Sequence, residues 1–151
     1  MEKGEQAKNN FTDGYNCAQA VACAFADRTG ISPEQSAKLV SGFGGGMGRL
    51  REVCGAFSGI VFVLSAIEGD SGPGDPAKKA ALYRAIQALA GEFVRENGSI
   101  VCRELLQLRV KSDSPEPAER NEQYYRVRPC KEIVASAARI LDRYLTEKNP
   151  G

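Results

Sequence analysis

Histidine is absent from the chain, and this absence excludes more chemistry than any other single feature of the composition. No Ser-His-Asp or Cys-His triad can form, no zinc can be held through imidazole, and no haem can be attached at a Cys-x-x-Cys-His motif. A surplus of charge is missing as well: Lys plus Arg total 20 against 19 for Asp plus Glu. With no net field to draw it to an anionic polymer or bilayer, the sequence predicts neither a nucleic-acid nor a membrane partner. The longest apolar run, Ile60 to Ile67, falls far short of the ~20 residues that span a bilayer. The opening residues MEKGEQAKNN lack the apolar stretch of a secretory signal, so the expected compartment is the cytoplasm.

Helix punctuation is frequent along the chain, and no run alternates apolar and polar residues for long. The pattern predicts an all-α fold, a compact single-domain bundle of about five to six helices over residues 1–151. A polar first helix is expected from Lys3 to Asp13. Asn16 with Gln19 has the form of a capping box opening a helix to Thr29, with Gly30 as its stop. Ser32-Pro33-Glu34-Gln35 reads as an N-cap, a first-turn proline and a capping glutamine. Gly42-Phe43-Gly44-Gly45-Gly46-Met47-Gly48 reads as a loop, because each glycine costs a helix ~1 kcal/mol relative to alanine. Cys54 to Ile67 is apolar, with small residues at Gly55, Ala56, Ser58 and Gly59 that permit close approach of a neighbour, and it is the expected central helix. Asp75-Pro76 opens a long amphipathic helix ending at Asn97-Gly98. Ser99 is placed to cap a short helix from Ile100 to Leu108. Residues 109–127 form a long polar connection broken by Pro115 and Pro117, and Cys130 to about Glu147 forms the last helix.

Five cysteines remain to be explained. Their odd number and a reducing compartment argue against a structural disulfide framework, and no Cys-x-x-Cys pair is present. On this helix map Cys17, Cys54, Cys102 and Cys130 fall at or near helix starts. There the unpaired N–H groups and partial positive charge favour the thiolate, the form that reacts and binds metal. Arg49, Arg51, Arg103, Arg128 and Lys131 lie beside them in sequence. Cys23 sits mid-helix, about 120° round from Cys17 at roughly 100° per residue, and reads as packing. Plain burial is the competing reading for the other four, since cysteine also behaves as a small hydrophobe.

Three segments carry a likeness: Asn16-Cys17-Ala18-Gln19-Ala20-Val21, then Gly42 to Arg49, then Cys54-Gly55-Ala56-Phe57-Ser58-Gly59, with later single cysteines at 102 and 130. Together they resemble the C_GCAxxG_C_C family of redox-active proteins, over nearly the whole chain. The resemblance implies a helical protein whose functional cysteines are Cys17, Cys54, Cys102 and Cys130, with Cys23 outside the pattern. One difference is visible: this chain reads Cys54-Gly55-Ala56 where the family name writes Gly-Cys-Ala. The family is also similar to a domain of split-Soret cytochromes, which implies an iron–sulfur cluster without haem here.

Three functions compete. The first is an iron–sulfur, electron-transfer centre on the four thiolates, which as soft ligands select iron–sulfur or zinc. The second is metal-free thiol–disulfide exchange by the same four. The third is a structural zinc or purely packed helical module that binds a protein through Tyr124 and Tyr125. A redox partner protein is expected for the first two, and a homodimer is compatible with the small-residue helix. The glycine segment lacks the Lys-Ser or Lys-Thr ending of a P-loop. Gly44, Gly45 and Gly46 are instead expected to let backbone pass close to the cysteines, at least three of whose sulfurs should line one pocket.

Overall fold

In the computed structural model the described residues are 1–108, 113–121, 124 and 129–148. Parts of the predicted 109–127 connection, with Tyr125 and Arg128, lie outside them. The described residues form nine α-helices and one 3-10 turn, and no strand. In chain order they are α1 (Lys3–Thr12), α2 (Cys17–Ala24), α3 (Ala26–Thr29), α4 (Pro33–Leu39), the 3-10 turn Ser41–Phe43, α5 (Gly44–Met47), α6 (Gly55–Glu68), α7 (Pro76–Asn97), α8 (Cys102–Leu105) and α9 (Cys130–Lys148). Six of these run for seven residues or more, in line with the expected all-α bundle. None is long and apolar enough to cross a membrane among the described residues.

The caps act as their residue types dictate. Asn16 accepts from the Gln19 amide while the Gln19 side chain returns to the Asn16 N–H, a complete capping box. Ser32 caps α4 ahead of Pro33, and Asp75 caps α7 ahead of Pro76. Gly30 and Gly98 take left-handed backbone at helix ends. Two boundaries differ from the sequence reading. The helix opened by Asn16 breaks at Phe25, whose backbone (φ −109°, ψ 20°) leaves the helical region and starts α3 afresh. Ser99 caps no helix: its hydroxyl turns to Glu104 and accepts from Val101, because Ile100 and Val101 are engaged elsewhere.

Helix α6 lies among α2, α7 and α9, and α1 packs along α9. Ile60, Val63 and Leu64 of α6 meet Val21, Phe93, Val134 and Leu141 in one buried cluster, and each such side chain contributes roughly 1.5–3 kcal/mol by leaving water. The small residues do what their size allows. A side chain at Gly59 would lie 2.8 Å from Val21 Cβ and 3.0 Å from the Ala18 carbonyl, so α2 and α6 touch almost backbone to backbone. That contact brings the start of α2 against the start of α6.

Candidate functional site

Four local devices deliver the four cysteines. The Asn16 box fixes Cys17 as the first residue of α2. Cys54 is the N-cap of α6, and Gly55 behind it leaves room for Cys17, whose Cβ would be 3.1 Å from a Cβ at that position. Cys102 opens α8 and Cys130 opens α9. Cys54 and Cys102 are further joined by a feature that the sequence did not reveal, a single antiparallel bridge between Val53 and Val101. The Cys54 amide donates to the Ile100 carbonyl at 2.7 Å, and the Cys102 amide donates to the Glu52 carbonyl. These bonds hold Val101 extended, so α8 begins at Cys102 rather than at Ile100.

All four cysteines line one cavity of about 370 Å³. Gly44, Gly45 and Gly46 lie on its wall. The segment expected as a loop is a tight turn with helical hydrogen bonding, but its backbone is left-handed: φ is positive at every residue from Gly45 to Arg49, and again at Arg51. At Gly46 the glycine is required twice over. Its φ is +71°, and a Cβ would sit 2.6 Å from Cys102 Cβ and 2.8 Å from the Arg51 and Glu52 backbone.

The turn also explains Arg51, whose sequence neighbourhood showed only that it lay near a cysteine. The side chain is 2% exposed, with Nη1 3.6 Å from Cys102 Sγ and Nη2 3.0 Å from Asp113 Oδ2. Burial opposes its charge, but the contacts with Cys102 and Asp113 outweigh burial and raise its pKa. Arg49 shares Asp113 at 3.4 Å, and the hydrogen bond from Arg51 holds the Asp113 carboxyl below the usual carboxylate range. Arg103 turns away to Glu52 and the Arg51 carbonyl.

The acidity of Cys17 and Cys54 runs against the expectation from helix starts. Hydrogen bonding to Cys130, burial and the neighbouring thiols push Cys17 well above the ordinary thiol value. Burial pushes Cys54 up to about 12, although the Ala56 and Phe57 amides of α6 oppose it. Losing water costs a thiolate more than the partial charge of a helix start returns. Cys17 and Cys130 are in hydrogen-bond contact, yet among the described residues no three Cys, Asp or Glu side chains are grouped as ligands of a single ion. Cys23 does not line the cavity: its Sγ lies 3.3 Å from the Pro33 carbonyl.

Residues 113–121 form a strap that adds Pro115, Pro117, Ala118 and Arg120 to the cavity lining, through contacts the sequence did not reveal. At one end the Asp113 amide donates to the Arg49 carbonyl at 2.9 Å, and Arg49 Nε donates to the Ser114 carbonyl at 2.7 Å. At the other, Arg120 donates to the Phe11 and Tyr15 carbonyls at 2.6 and 2.9 Å. Its guanidinium lies 4.3 Å from the Phe11 ring centre and 5.7 Å from that of Tyr124. Charged residues on a proline-broken stretch were the only sequence signal for this cover.

Neither the curated proteins nor the solved structures contain a match to the chain. The profile described as "Putative redox-active protein (C_GCAxxG_C_C)" matches residues 15–144, a span holding all four cavity cysteines, and the chain belongs to that family.

Proposed function

We propose that the cavity is an electron-transfer site in which Cys17, Cys54, Cys102 and Cys130 hold an iron–sulfur cluster. The observation that carries this reading is the convergence of four cysteines, remote in sequence, on one cavity. The donors fit: an all-sulfur set without histidine selects soft metals. Tetrahedral zinc with Zn–S bonds of ~2.3 Å would need sulfurs about 3.8 Å apart, a grouping absent among the described residues. A polynuclear cluster separates its protein ligands by its own breadth and so does not ask for that grouping. Such a group, when bound, takes up and returns one electron.

The chain's own residues would serve it in three ways. The Ala56 and Phe57 amides face the Cys54 sulfur, and the Arg51 guanidinium faces that of Cys102. Both favour negative charge on sulfur and would raise the potential of an anionic centre. Leu105, Leu106 and Ile133 wall the cavity, and the strap adds Pro115, Pro117 and Ala118 to that wall.

The contact between Cys17 and Cys130 favours a second reading, thiol–disulfide exchange. There the two thiols would form one protein disulfide while a partner disulfide is reduced to two thiols, the two protons passing to the product. The raised pKa of Cys17 lowers its thiolate fraction and makes this the weaker reading.

Anaerobic reconstitution with ferrous iron and sulfide tests the proposal. Visible absorbance and an electron-spin signal should appear, be lost on Cys→Ala substitution at each of the four positions, and survive Cys23→Ala. If no iron is retained and the same four variants instead lose disulfide reduction, the second reading stands. Loss at Cys23→Ala equal to that at Cys17→Ala would refute the sorting of the cysteines.

A further inference from the structure

The arginine end of the cavity is under-used by the residues around it. Arg49 and Arg51 share one oxygen, Asp113 Oδ2, at 3.4 and 3.0 Å. The other oxygen, Oδ1, accepts from the Ser114 amide. Neither guanidinium therefore has the two-pronged carboxylate pairing that its fork of donors allows. Arg51 Nε is buried with no hydrogen-bond partner. Two guanidiniums thus share one carboxylate, with Cys102 Sγ 3.6 Å from Arg51 Nη1. A buried donor left unmade is costly unless something fills it. Arg51 is among the residues lining a cavity of about 370 Å³, within the size range of small-molecule sites. Asp113 itself, a third exposed on the strap, shows what chemistry the position accepts.

We propose that this end of the cavity binds a small carboxylic acid whose carboxylate replaces Asp113 between Arg49 and Arg51 and whose apolar body lies on the wall formed by Leu105 and Leu106. A free carboxylate can present both oxygens, reaching Nε as well as Nη, which Asp113 does not do while tied to Ser114. Asp113 is then an internal stand-in that competes with the ligand and couples its arrival to release of the strap. The inference rests on the cavity being the working site proposed above, and it holds whichever redox group the cysteines carry.

Benzoate is the probe, with the neutral isostere benzamide as control, titrated against the full chain by calorimetry. Removing the competitor in Asp113→Asn should tighten benzoate binding about tenfold or more, the scale of one charge-assisted bond. Arg49→Gln should weaken it by a similar factor, and benzamide should not bind. Both substitutions are at partly exposed positions, so the test does not depend on the fold tolerating a change at buried Arg51. Benzoate affinity unchanged by Asp113→Asn, undiminished by Arg49→Gln, or matched by benzamide would overturn the proposal. Iron and sulfide contents after anaerobic reconstitution of the same proteins report on the redox reading separately, so failure of one is distinguishable from failure of the other.

Discussion

Cys54 shows how one residue's surroundings can reverse what its sequence position suggests. At the N-cap of α6 it faces two helix amides, yet 6% exposure leaves its sulfur almost without water, and burial wins. Unfolded, the thiol ionises at its ordinary 9.0; folded, it is pushed up to about 12. Between those values the folded chain keeps a proton that the unfolded chain releases. The contribution to stability is therefore complete below pH 9.0 and falls as pH rises toward about 12. Cys17 is raised as well and acts in the same direction. Denaturant midpoints followed from neutral into alkaline solution should fall across this window, and Cys54→Ala should flatten the fall. The upper limit for Cys54 is about 4 kcal/mol, at 1.36 kcal/mol per pKa unit. An alkaline slope unaltered by the substitution would mean that other groups carry it.

At the scale of elements, the glycine turn decides whether Arg51 and Cys102 can meet. Each left-handed residue without glycine costs roughly 1–2 kcal/mol, and Met47, Arg49 and Arg51 all adopt such backbone. That strain is concentrated where the chain must turn tightly to bring a guanidinium inside. Gly46→Ala adds both a left-handed penalty and a collision with backbone, and should destabilise by about 2–4 kcal/mol. Gly98→Ala is the control: its φ is also positive, but nothing lies within 4 Å of an added Cβ, so the loss should be about 1 kcal/mol. Equal losses in thermal or denaturant unfolding would show that packing against Cys102 is not what Gly46 supplies. The same logic makes Asn16 more than a cap, since its side-chain amide also donates to the Ser41 carbonyl at 3.1 Å and ties α2 to the start of the turn.

Across the whole molecule, the strap is tied to α1 at one end and to the glycine turn at the other. Arg120 is the tie to α1, through the carbonyl and ring face of Phe11, and it also holds the Tyr15 carbonyl just beyond α1. Arg120→Ala removes contacts at the cavity wall without opening the core under α6. The expected result is severalfold faster alkylation of the cavity cysteines by a small neutral reagent at alkaline pH, with an unfolding midpoint lowered only slightly. Mass spectrometry of the labelled sites separates Cys17, Cys54, Cys102 and Cys130 from Cys23, whose rate should not change because it lies away from the cavity. Unchanged labelling at all four would show that the strap does not limit access.

How much of this was legible in advance follows from the range of each interaction. Helix starts depend on a few adjacent residues, so Asn16 with Gln19, Ser32 with Pro33 and Asp75 with Pro76 could be read directly, and with them the all-α class and the placing of four cysteines at helix starts. The small residues from Gly55 to Gly59 likewise announced a close helix contact. The bridge between Val53 and Val101 could not be read, because it pairs residues 48 apart in sequence that no local pattern marks. Nor could the raised pKa of Cys17 and Cys54, since desolvation is set by everything that surrounds a sulfur rather than by its own helix. The partnership of Arg51 with Cys102 and Asp113 had the same origin. The sequence by itself determined where α2, α4 and α7 would begin; only tertiary packing set the start of α8 at Cys102 and decided that four helix beginnings would face one another, because both depend on long-range contacts between chain segments.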